Sequence, residues 1–277
     1  MAIRTIPLLL LTLTISYLSP KSSSLKPEED KQTLLQIKNF SWGNPPSLQS
    51  WQDDNHNNNK SSTTTHYKWT GIHCSSDGFI TNISLPNQNI YGPFRDSLCN
   101  LTNLIHIDLY NNSISGQFPV SLYKCSKLQY LELAHNLLVG VIPSDINRMS
   151  TSLTYLSLSA NNFTGEIHGT IGALNLANID IAINLLLGPI PQGFGKLKNL
   201  NGLAMFYNNF SSEIPASIGL LPLLTNIRLF RNASPGVAAR VGKALKAWNF
   251  EVGENRISTR YRWSLRRGGF DIGCSCL

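Results

Sequence analysis

Asparagine returns along this chain at a nearly fixed interval. Asn112, Asn136, Asn161, Asn184, Asn208, Asn232 and Asn255 are separated by 24, 25, 23, 24, 24 and 23 residues, and Gln88 precedes them by another 24. A period of roughly 20 to 50 residues means stacked coils, because one such unit is too small to bury its own apolar face. Residues 107–119, "IDLYNNSISGQFP", and 131–143, "LELAHNLLVGVIP", are two copies, with Asn136, Gly140 and Pro143 in the places of Asn112, Gly116 and Pro119. The period-2 segment Ile107-Asp108-Leu109 predicts a short strand with its apolar side chains inward and Asp108 outward. Stacked coils make these strands a curved parallel sheet. The Asn amide is expected to pair backbone groups at the corner of each coil. The Gly supplies a backbone conformation that other residues resist, and the Pro is expected to keep the return path extended instead of helical. Eight copies follow this plan, the last two damaged.

The ends differ from the middle. Residues 1–24 carry one early cation, Arg4, an apolar run from Leu8 to Leu18 and small residues at Ser22 to Ser24, the form of a secretory signal peptide. That run is about half the roughly 20 residues a bilayer span needs, and no longer one follows, so no membrane span is expected in this chain. The reading is a secreted, apoplastic protein, or one at the plasma membrane if the chain is a piece of a longer receptor. Eight Asn-x-Ser/Thr sequons accord with that route: Asn39, Asn59, Asn82, Asn100, Asn111, Asn162, Asn209 and Asn232. Only some are expected to carry glycan. The net charge of +7 sits at one end, because residues 1–227 hold 13 Lys plus Arg against 13 Asp plus Glu, and residues 228–277 hold 10 against 3. A nucleic-acid-reading stripe would follow the repeat, so no nucleic-acid partner is expected.

Residues 25–77 are expected to form an N-terminal cap, with a helix over Pro27 to Trp42 and two tryptophans, Trp51 and Trp69, covering the first coil. The coils run from 78 to 232. In 233–277 core sites turn small (Ser234, Ala238, Ala239), and Thr259, Tyr261 and Arg262 replace Gly, Ile and Pro. This basic, Cys-containing tail is expected to be a poorly ordered, degenerate repeat. Cys274 and Cys276 form a lone C-x-C without nearby His, read as thiols and not as a metal site.

Outward strand positions form columns. One column reads Ser84, Asp108, Glu132, Ser157, Asp180, Ala204, Arg228 and Glu251; a second, Asn82, His106, Tyr130, Tyr155, Asn178, Gly202 and Asn226; a third includes Tyr110, Phe206 and Phe230. Exposed aromatics beside carboxylates suit an extended peptide with a cationic or proline-rich part. The candidate binding residues are Asp108, Tyr110, Tyr130, Glu132, Tyr155, Asp180, Phe206 and Arg228, against the plainer reading of an ordinary solvated face.

Taken together, the cap "EEDKQTLLQIKNF…LQSW…WTGIHC", the L-x-G-x-I-P coils and phrases such as "ISLPNQNIYGPF", "SLYKCSKLQYLEL" and "ALNLANIDIAINLLLGPIP" resemble the ectodomain of a plant leucine-rich-repeat receptor-like kinase, most of all the HAESA-like subgroup. The resemblance implies a leucine-rich-repeat solenoid of the plant type, with a small secreted peptide hormone, a receptor-kinase ectodomain acting as coreceptor, or both as partners. No cofactor is expected, and no enzyme activity: the glycine-rich loop, V-A-I-K lysine, H-R-D and D-F-G of a kinase are missing from this sequence. The family pairs a cap Cys two residues before the Trp with one five after it, but Tyr67 stands opposite Cys74. Cys74 has Cys99 and Cys125 as candidate partners, or these two pair with each other on neighbouring coils; five cysteines leave one thiol over. "GEIHGTIGALNL" lacks the Pro and shifts register, which the resemblance reads as an internal loss of repeats. The functional reading is a peptide-binding or protein-binding module, a possible decoy or truncated receptor. Two alternatives remain: an inhibitor of cell-wall-degrading enzymes, or a gene fragment without function.

Overall fold

The computed structural model describes residues 27–40, 42–53, 68–211 and 214–232, and the backbone of 249–251, 264–267 and 270–273. The leader, Asn59, Tyr67, Cys274 and Cys276 lie outside the described residues. The solenoid is built on two sheets. The main sheet has nine strands, Ile72–Cys74, Ile80–Ser84, His106–Asp108, Tyr130–Glu132, Tyr155–Ser157, Asn178–Asp180, Gly202–Ala204, Asn226–Arg228 and Asn249–Glu251, all parallel after the antiparallel first pair. Each coil then turns into a six-stranded side sheet: Tyr91–Pro93, Ser113–Gly116, Leu137–Val141, Asn162–Glu166, Leu185–Pro189 and Asn209–Ser211. The periodic Leu, Ile and Phe side chains between the sheets form one continuous buried column from Leu34 to Leu229.

The Asn ladder explains the period. Asn184 Oδ1 accepts from Phe163 N at 3.0 Å, and its Nδ2 donates to the carbonyls of Leu158, Ile181 and Ala182. Asn136, Asn161, Asn208 and Asn232 repeat this pattern, each accepting from the side strand of the preceding coil. Every one of these amides is buried, so each pairs backbone groups that would otherwise cost free energy unpaired in the core. The ladder also dictates the residue before it. Asn111, His135, Ala160, Ile183, Tyr207 and Arg231 all take positive φ, between 49° and 55°, a region L-residues avoid at a cost of about 1 to 2 kcal/mol.

The return path departs from the expected extended chain. Short 3-10 turns follow the side strands, at Asp96–Asn100, Val120–Lys124, Ile146–Arg148, Gly169–Ala173, Gln192–Lys196 and Ile218–Leu220. Proline removes only its own donor; the Pro119 carbonyl still accepts from Leu122 N, and that turn buries Leu122. In the coil without its proline, His168 takes an extended conformation and accepts from Thr170 N. The strands on either side stay in register, Asn178 opposite Tyr155. The 23-residue step is therefore absorbed in the return path, where a Cβ on Gly172 would stand 2.1 Å from the Gly193 carbonyl oxygen.

The cap helix runs from Pro27 to Phe40, with Glu28, Glu29 and Asp30 in its first turn, the favourable end for negative charge. Asp30 Oδ2 accepts from Ile80 N, tying the helix to the second strand of the main sheet. Three tryptophans, not two, seal the first coil: Trp51 stacks on Trp69 at 5.5 Å and tilts against Trp42 at 6.2 Å. At the other end, Asn249–Glu251 pairs with Asn226–Arg228 in the predicted register, and Ser264–Arg267 and Phe270–Gly273 form an antiparallel pair instead of a further parallel coil.

Candidate functional site

The register places the outward residues in two straight columns on the main sheet. In the first, Asn82, His106, Tyr130, Tyr155, Asn178, Gly202 and Asn226 are successive Cα partners. Strands about 4.8 Å apart bring like-positioned rings face to face. His106 stacks on Tyr130 at 4.1 Å and 8°, and Tyr130 on Tyr155 at 4.2 Å and 7°. Burial holds the His106 pKa below its ordinary value, partly offset by Asp108, so the imidazole in this stack is neutral at pH 7.

Beyond the rings the column turns to amides. The Asn178 amide packs over Gly202, its Oδ1 2.6 Å from where a Cβ would stand. Asn226 Oδ1 is buried and makes no hydrogen bond among the described residues. Farther along, Phe206 and Phe230 stack at 4.6 Å and 10°. Tyr207 stands edge-on to both, and Arg231 lies over the Tyr207 ring and bonds its hydroxyl.

The second column holds Asp108, Glu132, Asp180 and Arg228 in register. Its carboxylates are less available than their outward positions suggest. Asp108 accepts from Tyr110 N, Glu132 from Ala134 N and Asp180 from Ala182 N, each two residues on. These are local side-chain turns, the ordinary use of an acid at a strand end. Glu132 requires a correction: it is 7% exposed, not an open carboxylate, and the Tyr155 hydroxyl donates to its Oε2 at 3.0 Å. Burial raises the pKa of Glu132 and of Asp180. Arg228 is exposed and lies in the field of Asp180.

Tyr110 is exposed and meets His135 edge-on at 5.1 Å. His135, Tyr207 and Arg231 were absent from the sequence-derived site. The signal for them is their place immediately before a ladder Asn, where positive φ turns the side chain onto the edge of the main sheet.

Among the sequons, Asn39, Asn100, Asn111, Asn162 and Asn209 are exposed and Asn82 is half-buried on the main sheet. Asn232 requires the second correction. It is 6% exposed and its Nδ2 donates to Met205, Leu229 and Phe230 carbonyls, so the folded ladder leaves no nitrogen for a sugar. Cys99 and Cys125 are joined in a disulfide between neighbouring coils, and Cys74 is a half-buried thiol whose pKa burial and Asp30 push up to about 11. Among the described residues no cluster of His, Cys, Asp or Glu could hold a metal, and no helix is long and apolar enough to cross a membrane.

Models of the leucine-rich repeat match residues 80–138 and 152–174. The crystal structure of the Arabidopsis receptor kinase HAESA, in complex with the peptide hormone IDA and the co-receptor SERK1, superposes with a TM-score of 0.70 at 29% identity, over 82% of this chain and 42% of that one. The chain is a leucine-rich-repeat solenoid resembling a plant receptor-kinase ectodomain. Two curated relatives from Arabidopsis thaliana agree. The receptor-like serine/threonine kinase GSO2 is 41% identical over 68 residues, 24% of this chain and 5% of that protein; the receptor-like kinase HSL1 is 38% identical over 81 residues, 28% and 7%. The aligned stretches thus cover less than a tenth of these relatives, and the superposition covers under half of the HAESA chain.

Proposed function

We propose that this receptor-ectodomain-like solenoid binds an extended peptide along its main sheet, outside the cell. The observation that carries the reading is the ordered column from the His106, Tyr130 and Tyr155 stack through Asn178, Gly202 and Asn226, with the Phe206 and Phe230 pair in a neighbouring column on the last two of these coils. From His106 to Asn226 it crosses five strand spacings, about 24 Å, the length of roughly seven extended residues. Flat rings at one end of the column and beside the other offer apolar contact at low entropy cost. The exposed Asn178 amide, lying over Gly202, offers a peptide backbone both a donor and an acceptor. Glu132, under Tyr155, shapes the platform and adds negative potential without offering a free carboxylate; Asp108 and Asp180 favour a cationic ligand side chain.

A ligand-binding solenoid without a kinase acts by occupying its ligand or a coreceptor ectodomain, hence as a decoy when secreted, or as part of a receptor when joined to further segments. The test is calorimetric titration of the secreted chain with a panel of synthetic secreted-peptide sequences, the IDA hormone among them. At least one peptide is expected to bind at micromolar strength or better, and Tyr155→Ala or Phe206→Ala to weaken it tenfold or more. A folded chain that binds none of them, or binds equally well after both substitutions, sinks the proposal.

A further inference from the structure

The side sheet carries an apolar stripe that the core does not use. Leu137, Val139 and Val141 face outward from one strand and Leu185 and Leu187 from another, each between 43% and 58% exposed. The flanking strands Ser113–Gly116 and Asn209–Ser211 carry Ser113, Ser115, Asn209 and Ser211 at the outward positions. Between the two apolar strands runs Asn162–Glu166, which opens the sequon Asn162-Phe163-Thr164. Phe163 is buried, so Asn162 and Thr164 both face the stripe. Asn162 is the Cα partner of Val139, and Thr164 pairs with Val141 on one side and Leu185 on the other. Beyond, Leu187 pairs with Asn209, first residue of a second sequon of the same form, Asn209-Phe210-Ser211 with Phe210 buried. Apolar strands and sequon strands alternate.

We propose that N-linked glycans on Asn162 and Asn209 cover this stripe. A pyranose ring presents C–H groups on its faces and hydroxyls at its edges. Linked through an Asn amide, its first sugar lies beside strands about 4.8 Å away and buries a C–H face on Val139, Val141, Leu185 and Leu187 while its hydroxyls stay in water. The linkage needs a free amide nitrogen. Asn162 and Asn209 make no side-chain hydrogen bond among the described residues, whereas Asn232 spends its nitrogen in the ladder and Asn111 donates to Asn87. Uncovered apolar patches of this kind drive association. A protein partner on the same face would meet a glycan planted between its two contact strands, and that favours the sugar as occupant.

The full chain secreted from plant cells with oligomannose glycans provides the test. Glycopeptide mass spectrometry is expected to find Asn162 and Asn209 occupied. Release of the glycans from the folded protein by a peptide-N-glycosidase should raise binding of an apolar fluorescent dye several-fold and produce oligomers in sedimentation, with the circular dichroism unchanged. Replacing Leu185 and Leu187 by Ser in the released protein should reverse both effects, and Asn100→Gln, away from the stripe, should cause neither. Unmodified Asn162 and Asn209, or dye binding and sedimentation unaffected by release, overturn the proposal. Occupancy at Asn100 shows independently that the chain entered the secretory route.

Discussion

The Tyr155 hydroxyl donates to Glu132 Oε2 at 3.0 Å across neighbouring strands, while the Tyr155 ring lies against Tyr130 at 4.2 Å. One phenol thus closes over a buried carboxylate and continues a ring stack. Burial, followed by the nearby negative charges of Asp108, raises the Glu132 pKa against the lowering effect of its hydrogen bonds. A group raised in the folded state gives its stability in full below its unfolded pKa and loses it as pH rises through the folded one. Glu132→Gln, neutral throughout and able to pair with Ala134 N and the phenol, is therefore expected to melt higher than the parent at pH 7 and no differently near pH 3. Melting curves across that range check this, and a Gln variant less stable at neutral pH contradicts it. Tyr155→Phe takes a donor from a charged acceptor and should cost about 1.5 to 3 kcal/mol at pH 7.

Asn184→Ala removes four hydrogen bonds and leaves Phe163 N buried without a partner. The expected loss is about 3 kcal/mol or more. Hydrogen exchange should localise the loosening to the coils around Asn162–Glu166 and Leu185–Pro189; uniform loosening would mean the ladder does not act coil by coil.

Ile183 is a β-branched residue at φ 54°, and it is 44% exposed. Asn tolerates this conformation, so Ile183→Asn should stabilise by about 1 kcal/mol. That corresponds to a rise in Tm of about 2 to 4 °C for a domain of this size, readable by calorimetry. A fall in Tm would show that Ile183 earns its place by packing.

The Cys99 to Cys125 bridge closes a loop with a sequence separation of 26. Replacing both by Ser should cost about 3 kcal/mol, and the loss should appear equally when the parent is measured under reduction. Cys74→Ser serves as control and should leave the reduced and oxidised difference intact.

The spacing of Asn112 to Asn232 was enough to place every main strand from Asn82 to Glu251 in its final register, because a solenoid makes only nearest-neighbour contacts and a shift by one residue would turn the core outward. The column Asp108, Glu132, Asp180, Arg228 was legible for the same reason. Availability was not. Glu132 is buried and bonded to a phenol from the next strand, Asn232 lost its free amide to the ladder, and His135, Tyr207 and Arg231 entered the site through positive φ. The 3-10 turns after Pro119 and Pro191 likewise arise from carbonyls that proline leaves free. Period and apolar pattern are properties of one coil and repeat along the chain, so the sequence alone determined the architecture. Solvent access and hydrogen-bond partners depend on what the adjacent coil places within about 5 Å, and only the stacked tertiary structure decided those.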